Sequence, residues 1–330
     1  MLIKVLGCST AFPGLKTYNQ SFLIEENGKR LLVDCGEDTP KALLYHGIDV
    51  KSIDGVYISH LHSDHCFGIP RLGLSRYDFV NFPTHFSKGK YAPKLYGKEL
   101  VLKNLWEAVK HPLATLQNVS GTLETFFEPI VVSDSFMWEG WKFRLIQQVH
   151  VVSDADIMPS FGLIITKEGH KSIYLTTDSQ YCSPRQVEDF YKIVDIIVQD
   201  CELIGVNTLF EEGAQVYQEP RTPLKLWPLN IDDPDGRIRL ELQAQGIIPF
   251  IWDRSKFFSG VHANYAQLAS YPSANSPKLS REIKAKMWLS HYQDFKYENK
   301  DMYGNTIDWD AEAKMDGFAG FIQQGQVFEI

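Results

Sequence analysis

The chain has no run of about 18 consecutive apolar residues, so no membrane-spanning helix is expected, although 44% of its residues are hydrophobic and can build a core. Cysteine is scarce. Its five copies in 330 residues are odd in number and not closely paired, which excludes a disulfide-stapled secreted scaffold and fits reduced thiols acting as small core residues. The opening Met1-Leu2-Ile3-Lys4-Val5-Leu6-Gly7 reads as a strand and not as a cleavable signal peptide, so a cytoplasmic location is expected. Basic charge is in deficit: 33 Lys and Arg against 41 Asp and Glu leave a net charge of −8. That disfavours a protein that tracks a long nucleic-acid backbone, because such proteins draw affinity from counterion release at a basic surface. Internal repeats and low-complexity segments are also lacking.

What is present is concentrated. Ser59-His60-Leu61-His62-Ser63-Asp64-His65-Cys66-Phe67-Gly68-Ile69-Pro70 puts four metal-competent side chains within six positions, directly after the apolar run Gly55-Val56-Tyr57-Ile58. A strand ending there would release the chain into a tight loop, with His60 and His62 converging on one cation and Asp64 and His65 turned toward a second. Two cations about 3.5 to 4 Å apart can share an activated water and clamp an in-line displacement at phosphorus. Imidazole and carboxylate suit zinc, and manganese or iron accept the same set. Downstream, His150 follows Phe143-Arg144-Leu145-Ile146-Gln147-Gln148-Val149, Asp178 follows Ser172-Ile173-Tyr174-Leu175-Thr176-Thr177, and His291 follows Met287-Trp288-Leu289-Ser290. Each lies just beyond an apolar run, as a residue at the carboxyl edge of a strand does.

The His-x-His-x-Asp-His pattern with these later residues resembles the metallo-β-lactamase superfamily. Several further segments narrow the resemblance to its ribonuclease Z-like branch: Val5-Leu6-Gly7-Cys8-Ser9-Thr10-Ala11-Phe12-Pro13 with Asn19 and Ser21, Leu31-Leu32-Val33-Asp34-Cys35-Gly36-Glu37, and Phe67-Gly68-Ile69-Pro70. The resemblance implies an α/β fold, the αββα sandwich of two mixed sheets flanked by helices. It implies two divalent metals, zinc with manganese as the alternative. One would be held by His60, His62 and His150, the other by Asp64, His65 and His291, with Asp178 bridging and Asp34 orienting the metal loop from behind. It also implies that Asp64 accepts the proton of the attacking water. Gln199-Asp200-Cys201-Glu202 falls where the branch has His-Glu-Ala-Thr, and His262, in Gly260-Val261-His262, falls where it has a histidine that contacts the scissile phosphate. Asp200 would orient His262, with a carboxylate one methylene shorter than the branch uses.

Members that process tRNA carry a protruding arm, commonly between the ligands matching His150 and Asp178. Here only 27 residues separate them. With the acidic charge, this favours a small phosphodiester. The expected activity is that of a phosphodiesterase acting on a 3′,5′-cyclic nucleotide, as in armless members of the branch that include phage proteins degrading cyclic-nucleotide immune signals. An endoribonuclease acting on tRNA precursors, which would make RNA the partner, and an inactive binding protein of the same fold are the alternatives. One domain spanning 1–330 is expected, with an insertion at about 203–258. Its proline- and aromatic-rich sequence reads as a lid, a substrate wall or a contact in a homodimer, with Trp227 and Trp252 either touching the base or packing a core. Strands are expected near 2–7, 21–25, 30–34, 54–59, 97–101, 128–132, 142–149, 160–166, 171–176, 194–199 and 286–290, with helices at 39–47, 103–110, 185–192, 262–270 and 278–284.

Overall fold

The computed structural model describes residues 1–76, 92–116, 119–152, 157–179, 186–201, 203, 262–263, 265–270, 279–300 and 306–330. The strands are β1 (Leu2–Gly7), β2 (Ser21–Glu26), β3 (Lys29–Val33), β4 (Gly55–Tyr57), β5 (Lys94–Gly97), β6 (Thr115–Leu116), β7 (Val119–Ser120), β8 (Glu128–Val131), β9 (Ser135–Trp138), β10 (Trp141–Val152), β11 (Ile157–Thr166), β12 (Ile173–Leu175), β13 (Ile196–Asp200), β14 (Met287–Ser290), β15 (Gly320–Phe321) and β16 (Val327–Glu329). One seven-stranded sheet has the order β16-β1-β2-β3-β4-β5-β8, another the order β15-β14-β13-β12-β11-β10-β9, and β6 and β7 form a two-stranded ribbon. Both large sheets are mixed. In the first, β16, β1, β2 and β3 pair antiparallel, whereas β3, β4, β5 and β8 run parallel. In the second, β9 pairs antiparallel with β10 and β11 with β12, and β12 to β15 run parallel. By its internal contacts the chain divides into two compact units, Met1–Arg144 with Gln323–Ile330, and Leu145–Ile322.

Burial follows strand type. All three residues of β4, parallel to both its neighbours, and of β12, parallel to β13 and antiparallel to β11, are buried, as in strands covered on both faces. The first half of β1 instead alternates, Leu2 and Lys4 toward solvent and Ile3 and Val5 fully buried. At 97–101 the expected strand gives way to helix: β5 ends at Gly97 and a helix runs over Glu99–Ala114. Val101, Leu102, Leu105, Val109 and Leu113 are all buried, a spacing of three to four that favours helix over strand, and Glu99 adds a negative charge to the first turn. His150 also differs from expectation, because β10 continues to Val152 and holds it inside the strand.

Parallel pairing aligns the carboxyl ends of neighbouring strands. The register Val33↔Tyr57 brings together the ends of β3 and β4, and Leu175↔Val198 with Asp200↔Ser290 does the same for β12, β13 and β14. Such edges are where open α/β sheets bind ligands. Among the described residues, no helix is long and apolar enough to cross a membrane.

Candidate metal centre

In the unit Met1–Arg144, the turn after β3 cradles the histidine loop. Asp34 has left-handed backbone (φ 60°), and its buried carboxylate is saturated. Oδ1 accepts the Ser59 N–H at 2.8 Å, while Oδ2 accepts the Ser59 hydroxyl and meets His65 Nδ1, both at 2.8 Å. Ser59 Oγ, having donated to Asp34, lies 3.0 Å from His60 Nδ1 and accepts from it. Both imidazoles therefore have Nδ1 engaged and leave Nε2 as the nitrogen that could meet a metal, the arrangement that prepares histidines for one. The His60 ring centroid stands 4.9 Å from that of His62 and 4.1 Å from that of His65, and Asp64 Oδ2 lies 3.3 Å from His65 Nε2.

The loop is pinned by backbone. Cys35 N–H donates to the His65 carbonyl at 2.7 Å and Gly68 N–H to the Cys35 carbonyl at 2.8 Å. A Cβ on Gly36 would fall 2.0 Å from the Asp64 carbonyl oxygen, so only glycine allows this approach. Cys35 and Cys66 are buried free thiols; burial pushes Cys66 up to about 12 and Cys35 well above its ordinary value, so both stay neutral.

In the unit Leu145–Ile322, Asp178 is buried among three histidines: His150 Nε2 at 3.5 Å and His262 Nδ1 at 3.9 Å from Oδ2, and His291 Nε2 at 3.4 Å from Oδ1. Asp200, the last residue of β13, is fully enclosed. Its Oδ2 accepts His262 Nδ1 at 2.8 Å, and its Oδ1 lies 3.5 Å from His291 Nδ1. Ligand atoms of Asp178, Asp200, His262 and His291 all fall within 4.8 Å of one another. Burial pulls His262 toward lower pKa, but the Asp200 carboxylate more than reverses this and holds it above the ordinary imidazole value. Asp200 behaves reciprocally: burial pushes it up, His262 and His291 outweigh that, and it falls below the usual carboxylate range.

Two buried carboxylates facing three imidazoles form a hard and borderline donor set of the kind that takes a divalent cation, and the donors fit such an ion. Nothing in the sequence marked three features of this centre. Ser59 links Asp34 to His60, and Ser179 donates its N–H to Asp200 Oδ2 at 2.7 Å. Thr177 and His291, like Asp34, are left-handed, at φ 55° and 59°. A β-branched residue there is strained at a cost of about 1–3 kcal/mol, and such strain clusters at functional sites. Serine and threonine are common in turns, so composition offered no cue. Trp227 and Trp252 lie outside the described residues, as does the insertion at about 203–258 apart from Leu203.

Solved structures similar over the whole chain include the metallo-beta-lactamase fold protein YhfI from Bacillus subtilis, with TM-score 0.58 and 16% identity over 99% of this chain and 98% of that one. Human tRNase Z, short form, gives TM-score 0.56 and 15% identity over 100% of this chain and 99% of that one. Two mixed sheets with helices define the metallo-β-lactamase fold, and the family this chain belongs to makes it a metal-dependent hydrolase of that fold. The chain belongs to the Anti-Pycsar protein Apyc1 family, whose model matches residues 1–227. The Anti-Pycsar protein Apyc1 of Bacillus phage BSP38 is 42% identical over 266 residues, 74% of this chain and 97% of that protein. Its namesake from Paenibacillus harenae is 31% identical over 237 residues, 71% and 90% of the two chains.

Proposed function

We propose that this protein is a dinuclear metal-dependent phosphodiesterase that opens a 3′,5′-cyclic nucleotide to a linear monophosphate. One ion would be held by His60, His62 and His150 and the second by Asp64, His65 and His291, with the Asp178 carboxylate serving both. The observation that carries this reading is the Asp178 carboxylate, whose two oxygens each face the Nε2 of a different histidine. A carboxylate that serves two ions must be shared in that way. Zinc suits the donor set, with manganese the alternative.

Bound divalent ions supply Lewis acidity and acidify water for attack at phosphorus. Asp64 would accept a proton during the attack. His262, fixed through Nδ1 by Asp200, has Nε2 available for the phosphate oxygens or the leaving oxygen, and its raised pKa suits it to donate. The cyclic substrate is supported by the name of the family, by the 27-residue link between His150 and Asp178, which leaves no room for a protruding arm, and by the net charge of −8.

Purified protein tested against cyclic mononucleotides, cyclic dinucleotides and a pre-tRNA, with metal content measured alongside, decides the matter. Two ions per chain and turnover of a cyclic nucleotide with weak dependence on salt are expected. Steeply salt-sensitive 3′-end cleavage of pre-tRNA, without turnover of any cyclic nucleotide, would replace this substrate with RNA.

A further inference from the structure

Gln199, in β13, lies outside the proposed metal-ligand set and is completely buried. A carboxamide is costly to enclose unless its donors and acceptor are matched. Here they are. Oε1 accepts from the Tyr191 hydroxyl, and Nε2 donates to Ser179 Oγ at 3.3 Å and to the Asp200 carbonyl at 3.1 Å. Ser179 is a junction: its N–H donates to Asp200 Oδ2 at 2.7 Å and its carbonyl accepts the Ala263 N–H at 2.8 Å. That same Oδ2 receives His262 Nδ1. The Asp200 N–H is anchored in turn on Thr176 Oγ1 at 3.1 Å. At the other end, the buried Tyr191 ring packs 5.9 Å from Tyr174, which fixes where the hydroxyl points. A line of hydrogen bonds thus runs from Tyr191 through Gln199 and Ser179 to both the carboxylate that holds His262 and the residue next to it.

We propose that Tyr191 and Gln199 are positioning residues for His262, acting through Ser179 and Asp200 to set the direction in which the imidazole presents Nε2. The proposal rests on the phosphate-facing role given to His262 above. Its physical basis is that hydrogen-bond chains in a low-dielectric interior reinforce one another, and that small misplacement of a reacting group lowers rate steeply.

Gln199→Met keeps volume and burial while removing every side-chain hydrogen bond; Tyr191→Phe removes only the hydroxyl. Turnover of bis(p-nitrophenyl) phosphate by the metal-loaded full chain is measured for each variant, alone and combined with His262→Ala. Each is expected to lower kcat about tenfold, the scale for residues that orient a functional imidazole from behind, with KM and metal content unchanged. In the His262→Ala background neither should cost anything more, because the group they act through is gone. A readout without turnover uses metal-free protein labelled with ¹⁵N-histidine. The Nδ1–H resonance that His262→Ala removes should exchange with water faster in Tyr191→Phe. If the tenfold loss persists in the His262→Ala background, or exchange is unchanged, the positioning chain is wrong while His262 keeps its role. A His262→Ala protein that binds metal and turns over at the wild-type rate removes that role and this proposal together. Should Gln199→Met fail to fold, Tyr191→Phe carries the same comparison.

Discussion

Converting the Asp34 carboxylate to its amide, Asp34→Asn, should weaken metal binding by about 10- to 100-fold while leaving the fold in place. The substitution isolates the side chain, since Asp34 sits at φ 60° and asparagine, like aspartate, tolerates left-handed backbone. The carboxylate accepts three hydrogen bonds of 2.8 Å, from Ser59 N–H, Ser59 Oγ and His65 Nδ1. An amide can keep the first through its oxygen, but its NH₂ group would face the other two donors. Relief requires His65 to move its proton to Nε2, the nitrogen it must offer to a metal, and Ser59 to turn away from His60. A tenfold to hundredfold loss is about 1.4 to 2.7 kcal/mol, which matches about one hydrogen bond to a charged group. Competition with a chelator of known zinc affinity measures it, and the thermal midpoint of the metal-free protein reports the fold. Unchanged affinity for both ions in Asp34→Asn would mean that the Asp34–His65 contact has no part in preparing the imidazole.

His262→Ala should retain both metals yet lower turnover by about 10² to 10⁴, measured as kcat on a cyclic nucleotide and on a generic phosphodiester. Gly36→Ala would drive a methyl to 2.0 Å from the Asp64 carbonyl oxygen, so loss of metal and a stability drop of at least about 1–3 kcal/mol are expected by calorimetry. Burial pushes the Asp38 carboxyl up to about 6, above the usual carboxylate range. Its contribution to stability is therefore full below about pH 4 and lost as pH rises through 6, and Asp38→Asn should raise the thermal midpoint of the metal-free protein above pH 6 but not below pH 4. Deleting the insertion at about 203–258 should raise KM for the cyclic nucleotide more than for bis(p-nitrophenyl) phosphate; equal effects on both would deny it a part in substrate fit.

The candidate donor residues stand out in the chain because chemistry and spacing coincide there. Four metal-competent side chains in six positions after a strand have few other uses, and His150, Asp178 and His291 each follow an apolar run. What holds the donors in place was hidden for physical reasons. The Ser59 link between Asp34 and His60 joins residues 25 apart in the chain, and a lone serine has many ordinary roles. Left-handed backbone at Thr177 contradicts the preference of the residue itself and follows only from tertiary constraint. The helix Glu99–Ala114 is legible over 103–110, but its first turn, Glu99-Leu100-Val101, contains residues that also suit a strand and hides its start.

His150 differs from Asp178 and His291 in being carried inside a strand, with β10 continuing for two residues beyond it. Side chains in a strand alternate between faces, so adding or removing one residue in the run leading to His150 would turn its imidazole to the opposite face. Loops after the other strands can absorb changes of length gradually. Relatives that have gained or lost residues in this stretch should therefore have done so in pairs, or have given up the histidine altogether, and this stretch of strand should keep its length where the surrounding loops drift.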